Sequence, residues 1–413
     1  MTEQYLRAEL AHWRGAITGL SDLDTVAAPA AWAMLEDYLR LRLRERLERS
    51  IAVLAAEGSA IAVSLDVGES PDRIRERLLV LRRRYIEVET VVDFYGDAVN
   101  SRTNAALGAV LGGLDTLACD SMEIVLRPLG IEVPPALVYV DKGMGAAILR
   151  AGVRLWGPGG VSPVAAIKLT RHNLGHPTAL FHETGHQVAA LTGWVPQLAD
   201  ALHSVLAGGS PAVADLWPGW ASEIAADVHA FVLAGWSPIP ALARVVDGPT
   251  SAVHRIRIGD PHPPAWLRVM FNAQLCRAAY GAGPWDDLTR TWTLRHDPRR
   301  AESAGARVAM ASLPMLPRLA ETCLTMAFPA FGGRAITALA DPGLVSPAAL
   351  EAFELQAGPA LLTSAHLARR RPLQVVALLT RDEPPDPARA AAATRRLHGW
   401  LAKLAPIPLP SAA

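Results

Sequence analysis

A predominantly α-helical chain with a small β-sheet is the fold class that this sequence predicts, and two observations carry the prediction. Apolar residues recur at steps of three and four over most of residues 1–130 and again from about Asp215 onward. Between these stretches, Val133–Val140 and Val164–Thr170 are short apolar runs bounded by proline- and glycine-rich segments, and they read as strands. With 413 residues, 51% of them hydrophobic, the chain can bury a large core and suggests two or three domains. The pattern divides it into a helical region over 1–130, a mixed α+β region over 131–300 and a helical region over 301–413.

The elements follow in order. From Ala31 to Ala56, Trp32, Leu35, Leu39, Leu43, Leu47, Ile51 and Leu54 mark one helix face. Ser70-Pro71-Asp72 reads as a helix start, with serine as cap and proline at the first position. The helix it opens runs through Leu78, Leu81, Tyr85, Val88, Val92 and Tyr95 to about Asn100, with Gly58 and Gly68 bracketing the connection. Two long antiparallel helices are therefore expected. Arginines crowd both, interleaved with glutamates, which is the pattern of a solvated, salt-bridged face; docking of a protein partner on these helices is the sharper reading. Gly157–Gly160 marks a turn and Arg171–Gly175 a loop. Pro177 opens a further helix, which Gly193 closes. Pro384-Pro385-Asp386-Pro387 interrupts the C-terminal helices before a last one near Ala388–Leu404, and Pro406–Ala413 reads as a frayed end.

Composition narrows the function classes. Net charge is zero and the pI is near 7.2, so no global basic field invites nucleic acid. Cys119, Cys276 and Cys323 are scattered, without a C-x-x-C, which argues against a disulfide framework or a cysteine-rich zinc site and fits a reducing compartment. The acidic, polar start Met1–Leu10 lacks the apolar stretch of a signal peptide, and no window of eighteen apolar residues predicts a transmembrane helix. A cytoplasmic location is expected, with export by a route without a cleavable signal left open.

The segment with most chemical content is His182-Glu183-Thr184-Gly185-His186, an H-E-x-x-H motif. On a helix, residues four apart share a face, so both imidazoles can meet one Zn²⁺ with Glu183 beside them to act on a water. The plain alternative is a surface helix with an incidental His/Glu pair. A hydrolytic zinc site takes three protein ligands and keeps a fourth position for water. Trp220–Phe231 reads as a helix with Glu223 and Asp227 on one side. Glu223 is the candidate third ligand, and Asp227 the candidate acceptor from a ligand histidine's second ring nitrogen. Two solvated acids are the alternative there. Gly259-Asp-Pro-His-Pro-Pro-Ala-Trp-Leu-Arg268 holds His262 in a proline-framed turn, from which it could donate to an oxyanion. Arg268 follows on the next helix, placed to orient Asp227, Glu223 or the substrate backbone. His172 and His176 lie just before the motif helix and read as loop or cap residues, with a place bordering the cleft as the alternative; His203 and His229 read as structural histidines. Tyr139 and Tyr280 are phenols with nothing in their surroundings to single them out.

In this order, H-E-x-G-H, E-x-x-x-D and H-P-P-x-x-x-R resemble gluzincin metallopeptidases, most closely the group of the CaaX prenyl protease and the heat-shock membrane zinc proteases. The resemblance spans about residues 164–272 and includes a small sheet before the motif helix, the order of a zincin-like catalytic domain. It implies a zinc peptidase with His182, His186 and Glu223 as zinc ligands and Glu183 as general base. It also implies Asp227 behind the ligands, with His262 and Arg268 lining the site. The chain departs from that group in showing no membrane span. The expected reaction is hydrolysis of a peptide or protein substrate, with strand Val164–Thr170 lending its edge to an extended peptide. The competing expectation is a helical interaction or effector protein that keeps the scaffold without turnover, or whose own helices cover the cleft.

Overall fold

The computed structural model describes residues 3–153, 161–257, 259–381 and 386–405, and in it the chain is mostly helical with one three-stranded sheet. The expected fold class is the observed one. The expected turn at Gly157–Gly160, the Pro384-Pro385 pair and the tail Pro406–Ala413 lie outside the described residues.

Helices α1 (Glu3–Leu20), α2 (Asp37–Asp66) and α3 (Pro71–Asn100) pack on one another, α2 and α3 being the two long helices expected. Helix α2 begins later than Ala31 because the Glu36 carboxylate caps it, accepting from the Leu39 amide at 3.0 Å. A separate short helix covers Pro29–Ala33. Gly58 does not end α2 but lies inside it, against α1, where a Cβ would come within 3.3 Å of the Arg14 Cγ. Pro71 is the first residue of α3 as expected, although Ser70 makes no side-chain capping bond. Several arginines pair with acids between elements, as Arg44 does with Asp24 and Arg84 with Glu57. Such partly exposed pairs add at most about 1 kcal/mol each.

Helix α4 (Ala105–Leu126) precedes the sheet strands β1 (Ala136–Val140), β2 (Ala147–Leu149) and β3 (Ala165–Leu169). Their order is β1-β3-β2, with β1 parallel to β3 and β2 antiparallel to it. Side chains alternate across the sheet. Leu137 and Ala166 join the core of α1, α2 and α3, whereas Ala136, Val138, Ile167 and Leu169 join a second core. Burial on both faces is why β1 and β3 read as unbroken apolar runs. The order overturns one expectation: β3 is the central strand, paired on both sides, so it offers no edge to a peptide. Strands β1 and β2 are the edges.

The second core holds α5 (Ala179–Thr192), α6 (Trp194–Ala207), α7 (Ala221–Ala234), α8 (Pro238–Val245), α9 (Ala265–Tyr280), α10 (Leu316–Thr325) and α11 (Pro387–Leu404). Helix α4 lies between α5 and α11, and α10 packs on α9. A buried ion pair ties α4 to the sheet: Arg102 Nη2 donates to Asp115 Oδ1 at 2.9 Å and to the Val138 carbonyl at 2.6 Å, and Asp115 accepts from the Val138 amide at 2.6 Å. Arg171–Gly175, expected as a loop, is a turn of 3₁₀ helix. Among the described residues no helix is long and apolar enough to cross a membrane.

Candidate metal centre

Helix α5 carries the H-E-x-x-H motif and α7 carries Glu223 and Asp227, as their periodicity predicts. Gly193, with φ of +68°, caps α5 in the left-handed region that glycine enters freely. The two helices lie face to face along the Gly185 side of α5. A Cβ at Gly185 would fall 2.8 Å from the Ala226 Cα and 2.9 Å from the His229 Cβ. This approach brings the motif to Glu223.

His182, His186 and Glu223 form a group able to hold a metal ion, their donor atoms all within 4.8 Å of one another. His182 Nε2 is 3.2 Å from His186 Nε2 and 3.3 Å from Glu223 Oε2, and His186 Nε2 is 3.3 Å from Glu223 Oε1. Both histidines are partly exposed and Glu223 is buried. Glu223 Oε2 accepts no well-formed hydrogen bond despite its burial, although Arg268 Nη1 is 3.1 Å away. A buried carboxylate whose two oxygens each face an imidazole nitrogen is a donor set that fits a cation.

Each of these two histidines is also held through its other nitrogen. His182 Nδ1 donates to Asp227 Oδ1 at 2.8 Å, the pairing expected of Asp227. His186 Nδ1 lies 3.1 Å from the Ser222 hydroxyl, a partner that sequence reasoning did not single out. Arg268 is buried and joins the two carboxylates. Its Nε and Nη2 donate to Asp227 at 2.8 and 2.7 Å, and Nη1 reaches Glu223. Asn272 Nδ2 completes the Asp227 shell at 2.9 Å. Asn272 stands four residues after Arg268, on the same helix face, and that spacing was its only signal in the sequence.

Electrostatics follow from this packing. Burial opposes charge on Glu223 and Asp227, but His182 and Arg268 outweigh it and hold both carboxyls below the usual carboxylate range. Burial likewise opposes protonation of His182, yet the hydrogen bond and charge of Asp227, with Glu223, raise its pKa to about 9. Glu183 is buried, and burial pushes its carboxyl up against the pull of the two histidines. A carboxyl raised in this way is the better proton acceptor.

His262 is half-exposed at the rim, with Nε2 at 3.5 Å from Glu223 Oε1. Asp260 holds it, accepting from the His262 amide at 3.0 Å and from Nδ1 at 2.7 Å. That leaves Nε2 aimed at the metal donors. Asp260 was legible as the residue two before His262 in the proline-framed turn, a spacing typical of an Asx turn.

The donors sit in a cavity of about 580 Å³ lined by the β2 segment, the start of α5, α7, α8, His262 and α9. Among the described residues its lining runs from Gly145 to Asn272, so the first three helices contribute nothing to it. Of the two histidines that could border the cleft, His176 lines the cavity, whereas His172 lies outside it and contacts the Met144 carbonyl. His203 faces Asp215, and His229 is buried with Nδ1 donating to the Phe181 carbonyl. Tyr139 and Tyr280 do not line the cavity; Tyr280 donates to the Pro342 carbonyl. No protein-family model, curated protein or solved structure matches the chain.

Proposed function

We propose that the chain is a zinc-dependent peptidase, and the observation that carries this reading is the cluster of His182, His186 and Glu223 donors. The two imidazole Nε2 atoms are 3.2 Å apart, and each lies 3.3 Å from a different oxygen of the Glu223 carboxylate. Four ligands at about 2.0–2.1 Å in tetrahedral geometry are separated by about 3.3–3.4 Å, so each of these separations is compatible with two atoms sharing one zinc ion.

A zinc ion there would supply Lewis acidity, lowering the pKa of a coordinated water to about 7 and polarising the scissile carbonyl. The protein's own groups supply the rest. Glu183, buried and raised in pKa, takes the water proton and passes it to the leaving amine. His262 Nε2, held by Asp260, donates to the developing oxyanion. Asp227 keeps the His182 Nδ1 proton in place, which directs Nε2 and its lone pair at the metal. Arg268 neutralises the excess negative charge of Glu223 and Asp227.

The edge strand β2 supports a peptide as substrate. It pairs with β3 alone among the named strands, and Ala147 and Ile148 line the cavity. An extended chain could add to its free edge across the donors. Occlusion of the cleft by residues 1–130 finds no support, because none of the described residues among them lines it. A cytoplasmic location remains the expectation for this reading.

The test is metal content and turnover together. Purified protein should hold one zinc per chain and cleave members of a mixed peptide library. Glu183→Gln should keep the zinc and lower turnover by about 10²–10⁴-fold. Undiminished cleavage by Glu183→Gln would sink the mechanism, and absence of stoichiometric metal would sink the site.

A further inference from the structure

The space around the metal donors continues past His262 into a second chamber of about 280 Å³. Val246, His262 and Arg268 belong to the walls of both, so the two meet at the rim histidine, whose Nε2 is 3.5 Å from Glu223 Oε1. Residues between Ala252 and Ala265 supply the rest of the chamber's described wall, and Arg255, Arg257 and Asp260 are their charged members. The acids of the two spaces are already engaged. Glu223 and Asp227 pair with Arg268 and His182, Asp260 pairs with His262, and Glu183 lies in the field of His182 and His186. Arg255 and Arg257 are exposed, and among the described residues neither meets an acid. Arg150, partly buried, lines the main cavity but not the chamber, likewise without an acidic partner among the described residues. Burial and the charge of Arg244 push the His176 imidazole down to about 4, so positive potential reaches the main cavity too. The chain as a whole carries 40 basic and 40 acidic side chains, so the surplus of unpaired cations belongs to the cleft and not to the net charge.

We infer that the chamber beyond His262 is an anion subsite in which Arg255 and Arg257 bind the carboxylate of an aspartate or glutamate side chain close to the bond held at the metal, so that the preferred substrates are acidic peptides. The inference rests on the peptidase reading and names its substrate class. A guanidinium presents a planar fork of donors that matches a carboxylate, and it stays charged at any working pH. The chamber is too small for a folded surface and opens onto the metal donors, so the group it fits is a side chain of a peptide already bound there. An exposed arginine–carboxylate pair is worth up to about fivefold in affinity, and salt screens it. Asparagine or glutamine in the same place would bring no charge to either arginine.

The subsite can be read by binding, apart from turnover. The monohydroxamates of glutaric and adipic acid, each beside its uncharged terminal amide, are titrated calorimetrically into the zinc-loaded full-length chain. At low salt the acid should bind at least about fivefold tighter than the amide, and the ratio should shrink toward one at high salt. The double variant Arg255→Gln, Arg257→Gln should lose the preference with zinc content kept, and Arg255→Glu with Arg257→Glu should invert it. Both arginines are exposed, so neither change empties a core. Arg150→Gln should leave the preference in place. Equal affinity for acid and amide in the unaltered protein, a preference that survives the double variant, or one that is lost with Arg150→Gln instead, overturns the inference. Zinc content and peptide cleavage are measured separately. An acid preference without cleavage leaves the subsite standing and removes the peptidase reading, while cleavage that ignores acidic residues does the opposite. Protein that binds no zinc is titrated with a fluorescein-labelled peptide bearing two glutamates and with its diglutamine counterpart, for which the same preference and the same loss in the double variant are required.

Discussion

Gly185 of helix α5 lies against Ala226 of helix α7 so closely that a Cβ on Gly185 would stand 2.8 Å from the Ala226 Cα and 3.0 Å from its carbonyl oxygen. These are backbone atoms in a buried helix, so the neighbour cannot yield by changing a rotamer. The contact sets the separation between His182, His186 and Glu223.

Gly185→Ala therefore pits two effects against each other. Alanine favours the helix by about 1 kcal/mol over glycine, while overpacking a tight interface costs about 1–3 kcal/mol. Because the clash is with backbone, overpacking wins. A net loss of about 1–2 kcal/mol in denaturant unfolding is expected, together with at least tenfold weaker zinc binding. Unchanged metal affinity would show that the spacing of α5 and α7 does not govern the site.

Arg268 is the cation between two buried carboxylates, with Nη1 at 3.1 Å from Glu223 and Nη2 at 2.7 Å from Asp227. Arg268→Met preserves much of the volume but leaves both carboxylates without their counter-charge. A destabilisation of about 3–5 kcal/mol is expected in metal-free protein. Added zinc should recover part of it by placing positive charge beside Glu223. Chemical unfolding with and without zinc measures both terms, and a variant as stable as the parent would refute the role.

Asp260 acts on the site only through His262. With zinc content held equal, His262→Ala should lower kcat by about 10²–10³-fold, the usual effect of removing one oxyanion donor. Asp260→Asn should lower it less, since the imidazole remains and only its orientation is loosened. Equal losses in the two variants would mean that Asp260 contacts the reaction itself.

Stability should fall on mild acidification. His229 is buried on α7, and burial pushes its pKa down from 6.5 to about 4. The unfolded chain thus takes up a proton near pH 6.5 that the folded chain refuses until near pH 4. This contribution is complete above pH 6.5 and is lost as pH falls toward 4, with a size on the order of 3 kcal/mol. His176, lowered in the same direction, adds to it. The urea midpoint followed from pH 7 to pH 4.5 measures the slope, which His229→Gln should flatten. A slope unaffected by that substitution would place the acid sensitivity elsewhere.

How much of this was legible depended on the range of the interaction. The pairing of His182 with His186, and of Glu223 with Asp227, follows from helix periodicity over one turn and needs no tertiary information. The helix boundaries at Pro71 and Gly193 were equally local. Less local features escaped: Ser222 and Asn272 carry no composition signal that separates them from any polar residue on a helix. The start of α2 at Asp37 depended on a capping bond from Glu36, in competition with an apolar pattern already running from Ala31. Strand β3 was recognisable as a strand, yet its place in the middle of the sheet was not, because two buried faces look alike whichever neighbours pair with the edges.

By itself the sequence determined a mostly helical chain, a small buried sheet and three short constellations of chemically capable side chains. Those are consequences of backbone geometry repeated every few residues. Only the tertiary structure decided that α5 and α7 meet at Gly185, that Arg268 and Asn272 close around Asp227, and that β2 rather than β3 borders the cavity. The reason is that distances between elements are set by close packing of many side chains at once, and no single segment encodes them.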